Sequence, residues 1–412
     1  MSSRLLILSN GHGEDLIALR VLEALQRRTV LQEVTVLPLV GLGTAFAAAE
    51  QQGLLRHIGP RGQLPSGGFS NQSLGGLLAD LRAGLPVLSL QQWRQVRDWG
   101  RGGDPVLAVG DLLPLLLAWS GGGPFGFIGT PKSDWTWSSP PPPGWGTSPL
   151  ADAYHRAKGS EWDPWEWALM GARRCRLVAV RDRLTARGLR RHGIGAVAPG
   201  NPMMDGLEAP PLPAALALRR RLLLLPGSRI PEALGNLRRL LPALPDPMEP
   251  TTVLVATGAR PDASDLAPLL EAEGFRPAPA GMDGTPAWER RKLQLLVGAG
   301  CFAAWASWAE LGIATAGTAT EQLVGLGVPA LSLPGPGPQF KAGFARRQSR
   351  LLGGAVQPCR TGEELAARLV QLLADGSERR RLGGIGRSRM GPSGGSDRLA
   401  ALIHERLLRP AA

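Results

Sequence analysis

The chain has 412 residues, of which 43% are hydrophobic and 19% charged, and these values exclude disordered and fibrous proteins. At about 150 residues per domain, this length predicts two or three domains. The formal net charge of +12, from 46 basic and 34 acidic side chains, makes anionic membrane surfaces or other polyanions suitable partners.

The chain begins with a predicted strand, a glycine loop and a helix. Residues 4–9 form an apolar run that favours a β-strand and ends at the loop 10–13, after which 14–28 has apolar residues at helical spacing. Further strands, which alternate with helical stretches such as 74–81, are predicted at 34–39, 54–58, 106–109, 125–128 and 177–180. Buried strands that alternate with amphipathic helices indicate a parallel sheet covered on both faces.

The regular alternation stops between residues 129 and 167. This segment holds a run of four prolines and half of the 12 tryptophans, namely Trp135, Trp137, Trp145, Trp162, Trp165 and Trp167. Long segments without a period are typical of functional loops or interfacial surfaces. Indole rings favour the headgroup region of a membrane, and packing in the core is the alternative role for the same side chains.

A second alternating set follows the proline-rich stretch 209–214. Its strands are predicted at 221–225, 252–256, 293–297, 313–316 and 329–333, with helices between them. We therefore expect two doubly wound α/β domains, the first over 1–205 and the second over 206–395. The last segment, 396–412, is an amphipathic helix with N-cap candidates at Ser396 and Asp397, and it can pack back on the first domain.

Cysteine spacing, hydropathy and charge indicate where the protein works. The three cysteines are far apart, with no pair at metal-ligand spacing, which favours a reduced compartment and no metal site. The apolar run at the start of the chain is too short for a signal peptide. The longest apolar stretch, 106–119, is interrupted by Asp111 and Pro114, so it is not expected to span a bilayer as a helix. We therefore expect a cytoplasmic protein. Residues 341–412 carry 14 basic and 6 acidic side chains, which can attract an anionic membrane or form a solvated helical face.

Three glycine-containing loops lie where a predicted strand leads into a helix, which is where parallel sheets bind ligands and helix N-termini favour anions. In the first, Gly11 and Gly13 match the start of a GxGxxG pattern, but Leu16 replaces its third glycine and disfavours NAD. In the second, Gly227 allows close backbone approach and Arg229 can bind phosphate. Together with the third loop, 316–322, it can hold a diphosphate, although such turns also occur for purely structural reasons.

Taken in order, these segments resemble lipid-A-disaccharide synthase, a two-domain glycosyltransferase of the GT-B architecture, and more narrowly the lipid-A-disaccharide-synthase-related proteins. The residues that carry the resemblance are Gly11 to Asp15, Gly110 and Asp111, Pro131 to Trp137 (PKSDWTW), Gly200 to Pro202 with Asp205, Pro226 to Arg229 with Glu232, and Ser307 to Val328. They keep the family's order over most of the chain. The region 53–103 has no match, so the acceptor does not follow from the resemblance.

The resemblance implies two Rossmann-like domains that face each other across a cleft. The second domain is expected to bind a nucleotide sugar, with UDP as the expected nucleotide, and the first a lipid-linked acceptor at a membrane surface. The implied donor-binding residues are Gly227, Ser228, Arg229, Gly317, Thr318, Ala319, Thr320, Glu321 and Gln322. After Thr320 the family has an apolar residue and then Glu, so either Glu321 or Gln322 is expected to contact the ribose.

The catalytic prediction centres on Asp111, which follows a predicted strand and falls where the family has an essential acidic residue. We assign it as the leading base, with His12 as an alternative base or acceptor-orienting group. An N-cap role suits Asp111 equally well, and the two roles are compatible. A hydrogen bond that organises the loop is the alternative for His12. The acceptor or membrane side is expected to include Gly11, Gly13, Trp135 and Trp137.

The resulting hypothesis is a glycosyltransferase that works without metal or organic cofactor, peripheral at the inner face of a membrane. It would move a sugar from a nucleotide-sugar donor to a lipid-linked or amphipathic acceptor. Its expected partners are the nucleotide sugar, the lipid acceptor and an anionic membrane surface, and no motif supports nucleic-acid binding. Two alternatives stay open: a sugar-nucleotide epimerase on the same fold, and a non-catalytic nucleotide- or lipid-binding derivative.

Overall fold

A computed structural model describes residues 4–59, 85–227, 229–335, 337 and 340–409. They form two compact units, each built around its own β-sheet. The first unit comprises the described parts of Met1–Trp137, Pro149–Asp205 and Ser393–Ala412, and the second those of Ser138–Ser148 and Gly206–Pro392. The predicted helix at 74–81 lies outside the described residues.

The first unit has seven strands: β1 Arg4–Ser9, β2 Glu33–Pro38, β3 Arg56–His57, β4 Val106–Gly110, β5 Phe125–Gly129, β6 Cys175–Val180 and β7 Ala196–Val197. All described pairings between them are parallel, and the order is β3-β2-β1-β4-β5-β6-β7. Its first eight described helices are α1 His12–Gln26, α2 Ala47–Gln51, α3 Leu85–Arg101, α4 Leu112–Ser120, α5 Trp135–Ser138, α6 Pro149–Lys158, α7 Pro164–Met170 and α8 Arg183–Arg191.

Both faces of this sheet are covered, as the continuous apolar strands predict. Along β1, Leu5 and Ile7 contribute to one core, while Leu6 and Leu8 contribute to a second core. Successive side chains of a strand point to opposite faces, so a strand buried on both faces needs an unbroken apolar run. The two predicted strands that shift most, 54–58 and 177–180, differ from β3 and β6 only at their ends.

The second unit has eight strands: β8 Arg220–Leu225, β9 Thr251–Thr257, β10 Arg276–Ala278, β11 Ala287–Arg290, β12 Leu293–Ala299, β13 Leu311–Ala314, β14 Ala330–Ser332 and β15 Val356–Pro358. Their order is β10-β11-β12-β9-β8-β13-β14-β15, with antiparallel pairing only where β11 meets β10 and β12 among the described pairs. Its helices are α9 Ala214–Ala217, α10 Glu232–Leu240, α11 Ala263–Ala272, α12 Phe302–Trp308, α13 Thr318–Gly325, α14 Ala342–Leu351, α15 Gly362–Ala374 and α16 Gly376–Met390.

The two sheets have the same topology once the β10–β11 hairpin is set aside. The remaining six strands of the second sheet run β12-β9-β8-β13-β14-β15, which is the third, second, first, fourth, fifth and sixth in chain order. The first six strands of the first sheet have the same order, and it is that of the Rossmann fold. Each sheet therefore reverses its strand order at one point, between β1 and β4 in the first and between β8 and β13 in the second.

The last described α-helix, α17 Gly395–Ile403, belongs to the first unit and packs against α1. Its N-terminus is capped by Asp205, whose carboxylate accepts from the backbone N–H of Gly394 at 2.5 Å and of Ser396 at 2.7 Å. The prediction that Ser396 or Asp397 is the N-cap is therefore wrong, because the cap comes from a residue distant in sequence that no local pattern reveals.

Residues 138–148 also depart from the expected boundaries, since they belong to the second unit rather than to a continuous first domain. Arg350 donates from Nε to the carbonyl oxygen of Ser139 at 2.9 Å, and Arg346 donates from Nη1 to that of Gly146 at 2.7 Å. Both arginines lie on α14, so charge-assisted hydrogen bonds hold this proline-rich stretch on the second unit.

The tryptophans of the irregular segment do not share one environment. Trp162 is fully buried and meets Phe127 edge to face, with ring centroids 5.5 Å apart. Trp167 stacks on His192 at 3.6 Å, whereas Trp165 is 56% exposed. Core packing therefore accounts for Trp162, and Trp165 is left as a surface side chain.

A buried polar network fixes the PKSDWTW stretch. The carboxylate of Asp134 accepts from the backbone N–H of Glu161 at 2.7 Å, and the backbone N–H of Asp134 donates to Thr185 Oγ1 at 2.9 Å. Ser133 donates to Asp182 at 2.7 Å. Burial raises the pKa of Asp134 to about 7, and the nearby charge of Asp182 acts in the same direction. The polar residues of this motif are thus used to join segments of the first unit.

Asp134→Asn is expected to flatten the pH dependence of stability. Because the pKa of Asp134 is higher in the folded than in the unfolded chain, the contribution of Asp134 to stability falls as pH rises from about 4 to about 7. A pKa of about 7 against the ordinary 3.8 corresponds to a loss of up to about 4 kcal/mol, which the variant avoids. Denaturant unfolding at pH 4 and pH 8 measures most of this difference. The exposed Asp98→Asn is the control, and equal pH slopes in all three proteins would contradict the expectation.

Candidate functional site

The first part of the candidate site lies where the strand order of the first sheet reverses. β1 and β4 are neighbours, with Ser9 opposite Val109, and each strand is followed directly by a polar side chain. Asn10 donates from Nδ2 to Asp111 Oδ1 at 2.7 Å. The hydrogen bond joins residues 101 positions apart and closes the carboxyl edge of the sheet at its switch point, where doubly wound sheets bind ligands.

Asp111 combines the two roles that its sequence position allows. It is the N-cap of α4, because Oδ1 also accepts from the backbone N–H of Leu113 at 3.1 Å. Burial raises the pKa of Asp111, while the hydrogen bonds and the charge of Lys132 oppose that shift. The hydrogen bonds from Asn10 and from the N–H of Leu113 both go to Oδ1, and Oδ2 takes part in neither of them.

Glu14 is the functional candidate that sequence reasoning missed. Thr130, which follows β5, donates from Oγ1 to Glu14 Oε1 at 3.2 Å. Burial is the main cause that raises the pKa of Glu14 to about 7; the nearby carboxylates of Asp111 and Asp15 act in the same direction, and the hydrogen bond from Thr130 opposes them. A carboxyl group with a pKa near neutrality is well matched to general acid–base catalysis. The acidic pair after the first glycine loop was visible in the sequence, but its burial beside Thr130 was not.

The other residues of the first loop have separate roles. Gly11 is the N-cap of α1 and adopts a φ of +119°, which favours glycine. Asp15 is buried and accepts from Ser9 Oγ at 2.5 Å, which ties the helix to β1. Gly13 is half-buried in the first turn, and His12 is exposed. Within the described residues, no hydrogen bond joins the imidazole of His12 to Glu14 or Asp111, so its catalytic assignment stays a prediction.

The second part of the candidate site lies at the switch point of the second sheet. Thr315 follows β13, and its Oγ1 donates to the carbonyl oxygen of Pro226, which follows β8, at 3.1 Å. Asn236 donates from Nδ2 to the same oxygen at 3.0 Å. These bonds fix Gly227, whose φ of +99° favours glycine, and a Cβ placed there would have no atom of the described residues within 4 Å, apart from its two chain neighbours. The loop therefore presents its backbone to open space.

The third glycine loop leads into α13. Gly317 is the N-cap, and its carbonyl oxygen accepts from Gln348 Nε2 at 3.2 Å. Thr320 is fully buried, and its hydroxyl donates to the carbonyl oxygen of Ala316 at 2.7 Å. Its hydroxyl therefore stabilises the first turn, whereas the N–H groups of Thr318 and Ala319 lack intrahelical acceptors by position. Such N–H groups, together with the helix dipole, favour an anion.

The remaining predicted site residues are only partly brought together. Arg229 is exposed beside the Gly227 loop, while Glu321 and Gln322 are half-buried on α13. Trp135 and Trp137 are half-buried on the short helix α5. Ser228 lies outside the described residues.

In the described part of the chain, no helix is long and apolar enough to cross a membrane. The same residues contain no cluster of three or more histidine, cysteine, aspartate or glutamate side chains that could hold a metal ion.

No family model and no curated protein sequence matches the chain. Its likeness to solved structures is extensive. MurG of Acinetobacter baumannii is 16% identical, with a TM-score of 0.56 over 98% of this chain and 99% of that one. The UDP-GlcNAc 2-epimerase of Neisseria meningitidis, solved with UDP-GlcNAc bound, is 14% identical, with a TM-score of 0.55 over 98% and 99%. The calicheamicin glycosyltransferase CalG4 is 15% identical, with a TM-score of 0.57 over 99% and 100%.

At these identities the likeness shows the fold alone. The protein has the GT-B fold with two Rossmann-like α/β domains, as the alternation of strands and helices and the ordered motifs predicted. The proteins that share it include glycosyltransferases and UDP-GlcNAc 2-epimerases.

Proposed function

We propose that the protein is a glycosyltransferase that moves a sugar from a UDP-linked donor to a lipid-linked or amphipathic acceptor, in the manner of lipid-A-disaccharide synthase. The observation that carries the proposal is the chemistry at the two switch points. The first presents a pair of half-buried carboxyl groups, Glu14 and Asp111, and the second a glycine loop beside a helix N-terminus. The bound UDP-GlcNAc in the Neisseria epimerase supports UDP as the nucleotide.

The donor is assigned to the second unit. Its diphosphate would bind the N–H groups at the start of α13 and the guanidinium of Arg229, with the backbone at Gly227 close to the ligand. These groups favour negative charge and would stabilise the diphosphate as it leaves. Glu321 or Gln322 would contact the ribose.

The acceptor hydroxyl is assigned to the first unit. We favour Glu14 over Asp111 as the base, because a pKa of about 7 leaves Glu14 both ionised and basic enough at neutral pH. Asp111 would accept a hydrogen bond from the hydroxyl through Oδ2 and so orient it, with Oδ1 held by Asn10 and Leu113. His12 stays a secondary candidate for contact with the acceptor, as do Gly11, Gly13, Trp135 and Trp137.

A UDP-sugar epimerase is the second candidate, favoured by the Neisseria structure and by the carboxyl pair itself. Two carboxyl groups in different environments suit removal and return of a proton on one sugar. An assay without acceptor separates the candidates, because only an epimerase converts its nucleotide sugar alone.

Calorimetry and turnover with common UDP, GDP and ADP sugars test the proposal directly. We expect one UDP sugar to bind and to be consumed when a lipid-linked acceptor is present. Failure of every donor to bind would remove both enzyme candidates. Binding without turnover would favour a non-catalytic nucleotide-binding protein, which is the third alternative.

Gly227→Val is expected to weaken donor binding by about tenfold or more, since a side chain would fill the open space beside the loop and strain a backbone at positive φ. Gly354→Val is the matched control, because Gly354 also has a positive φ of +83° and no protein atom within 4 Å of a Cβ. Gly354 precedes β15 and so lies at the amino ends of the strands, whereas Gly227 lies at their carboxyl ends. Calorimetry with the bound UDP sugar measures both variants, and equal donor affinities would argue against this loop.

A further inference from the structure

Helix α6, Pro149–Lys158, exposes its apolar side chains, whereas a helix that packs on a core buries them. None of its residues is buried, and its large apolar side chains point to solvent, with Leu150 86% exposed and Tyr154 48% exposed. Ala153 and Ala157 are exposed as well, so an apolar stripe runs along the outer side at spacings of three and four residues. Surface helices of globular proteins normally turn such a stripe inward.

Polar contacts in the second half of α6 hold the helix in place, and they include the hydroxyl of the otherwise exposed Tyr154. Lys158 Nζ pairs with the carboxylate of Asp163, and Tyr154 donates from its hydroxyl to Asp163 Oδ1 at 3.0 Å. His155 Nδ1 lies 3.3 Å from the carbonyl oxygen of Ser160. These contacts fix the orientation of the helix, so the outward apolar stripe is a stable feature of the fold.

The neighbouring helices expose further apolar and basic side chains. Asp163 is the N-cap of α7, whose next residues expose Pro164 and the indole of Trp165. The end of α8 contacts the end of α6. His192 directly follows α8, and its Nε2 lies 2.8 Å from the carbonyl oxygen of Lys158. Three arginines of α8, Arg183, Arg187 and Arg190, line an open groove of about 340 Å³. Val197 and Ala198 also line it.

The charges of this surface have one sign. Every exposed charged side chain in 149–170 and 183–192 is an arginine, namely Arg156, Arg183, Arg187, Arg190 and Arg191. The acidic side chains of the same ranges, Asp152, Glu161, Asp163 and Glu166, are buried or half-buried. An apolar stripe with a tyrosine and a tryptophan, bordered by unopposed arginines, is complementary to the headgroup region of an anionic bilayer.

We propose that the outer face of α6, together with Trp165 and the arginines of α8, is the surface through which the protein binds an anionic phospholipid membrane. Leu150, Tyr154 and Trp165 enter the boundary between headgroups and acyl chains, and the arginines bind lipid phosphates. The inference deepens the proposed function, on which it rests for the need to approach a lipid-linked acceptor. It also replaces the expected tryptophan patch by a different set of residues, of which only Trp165 comes from the irregular segment's tryptophans.

Flotation of the full-length protein with vesicles of phosphatidylglycerol or of phosphatidylcholine tests the surface. We expect binding to phosphatidylglycerol vesicles that weakens with salt, and much weaker binding to phosphatidylcholine. Leu150→Glu should reduce the partition coefficient by about tenfold or more, because it removes a buried leucine and adds a repelled charge. Leu218→Glu is the matched control, since Leu218 is 94% exposed in the second unit and should bind as the wild type does.

The arginines are tested separately. Arg187→Ser should reduce binding to phosphatidylglycerol by about fivefold, whereas Arg28→Ser, at an exposed position two residues after α1, should leave it unchanged. Equal binding of Leu150→Glu and Leu218→Glu would overturn the proposal, as would absence of binding to phosphatidylglycerol at low salt. Loss of a dimer on gel filtration in Leu150→Glu, with vesicle binding retained, would instead identify the face as a contact between copies of the chain.

Donor calorimetry on Leu150→Glu without vesicles separates this inference from the proposed function. The variant should bind the UDP sugar as the wild type does. Vesicle binding without any donor binding would contradict only the enzyme, and donor turnover without vesicle binding would contradict only the membrane surface.

Discussion

Glu14→Gln is expected to lower kcat by about 10²- to 10⁴-fold while donor affinity stays unchanged. Glutamine has nearly the same shape and its oxygen can still accept the hydrogen bond from Thr130, so the fold and the loop should be preserved. It cannot take a proton from an acceptor hydroxyl. The substitution therefore removes the ability of the side chain to act as a base with a pKa of about 7, and it preserves the shape and the hydrogen bond.

The pH profile gives this expectation a second, independent readout. The base must be ionised, and burial keeps Glu14 protonated below a pKa of about 7, so wild-type kcat/KM should rise with pH and level off above about 7. The Gln variant should show only a low, flat residual rate through that range. Glu23→Gln, at an exposed position of α1, is the control and should behave as the wild type. Wild-type turnover and pH profile in Glu14→Gln would exclude Glu14 as the base.

Asp111→Asn is expected to lower kcat by about 10²-fold or more, with donor affinity and thermal stability close to wild type. The amide oxygen of asparagine can still accept from Asn10 and from the N–H of Leu113, so both hydrogen bonds and the helix cap persist. What disappears is the negative charge that would orient the acceptor hydroxyl.

The comparison with Asp111→Ala separates catalysis from capping. Alanine removes the cap as well as the charge, which should cost about 1 kcal/mol of stability, measured by denaturant unfolding. If asparagine restored full turnover and alanine did not, Asp111 would be a structural cap and would leave the proposed mechanism.

The sheets could be predicted largely from the sequence because their central strands are continuous apolar runs. β1 and β8 are buried on both faces, and only an unbroken series of leucines, isoleucines and valines satisfies that environment. The β10–β11 hairpin could not be predicted, since its strands are short and its first strand, Arg276–Ala278, is mostly exposed. Its position depends on pairing with β12, which is a tertiary event.

The candidate site was predictable only as far as it follows strand ends. Asp111 and the Gly227 and Gly317 loops come directly after strands, and topology alone places them at the switch points. Glu14 depends on contact with Thr130, which is 116 positions away, and on the burial that this contact accompanies. Local spacing contains no information about either.

The basic C-terminal region shows the same limit for charge. Its net charge of +8 was expected to attract a membrane or to be solvated, but several of its arginines are hydrogen-bonded within the protein. Arg379 pairs with Glu310, Arg368 donates to Gln357, and Arg350 donates to Ser139. Exposed arginines without an acidic neighbour in the same range also lie on α8, a segment that the distribution of charge along the sequence did not single out.

The position of α17 has a consequence for how the chain folds during synthesis. Leu399, Ile403 and Leu407 complete the core that covers one face of the first sheet, and Asp205 holds the helix in place. A ribosome therefore delivers all of the second unit before it delivers the residues that close the first. The first unit is synthesised earlier, but the apolar surface of α1 stays uncovered until α17 has been made. The usual order, in which the N-terminal domain is completed first, is therefore reversed.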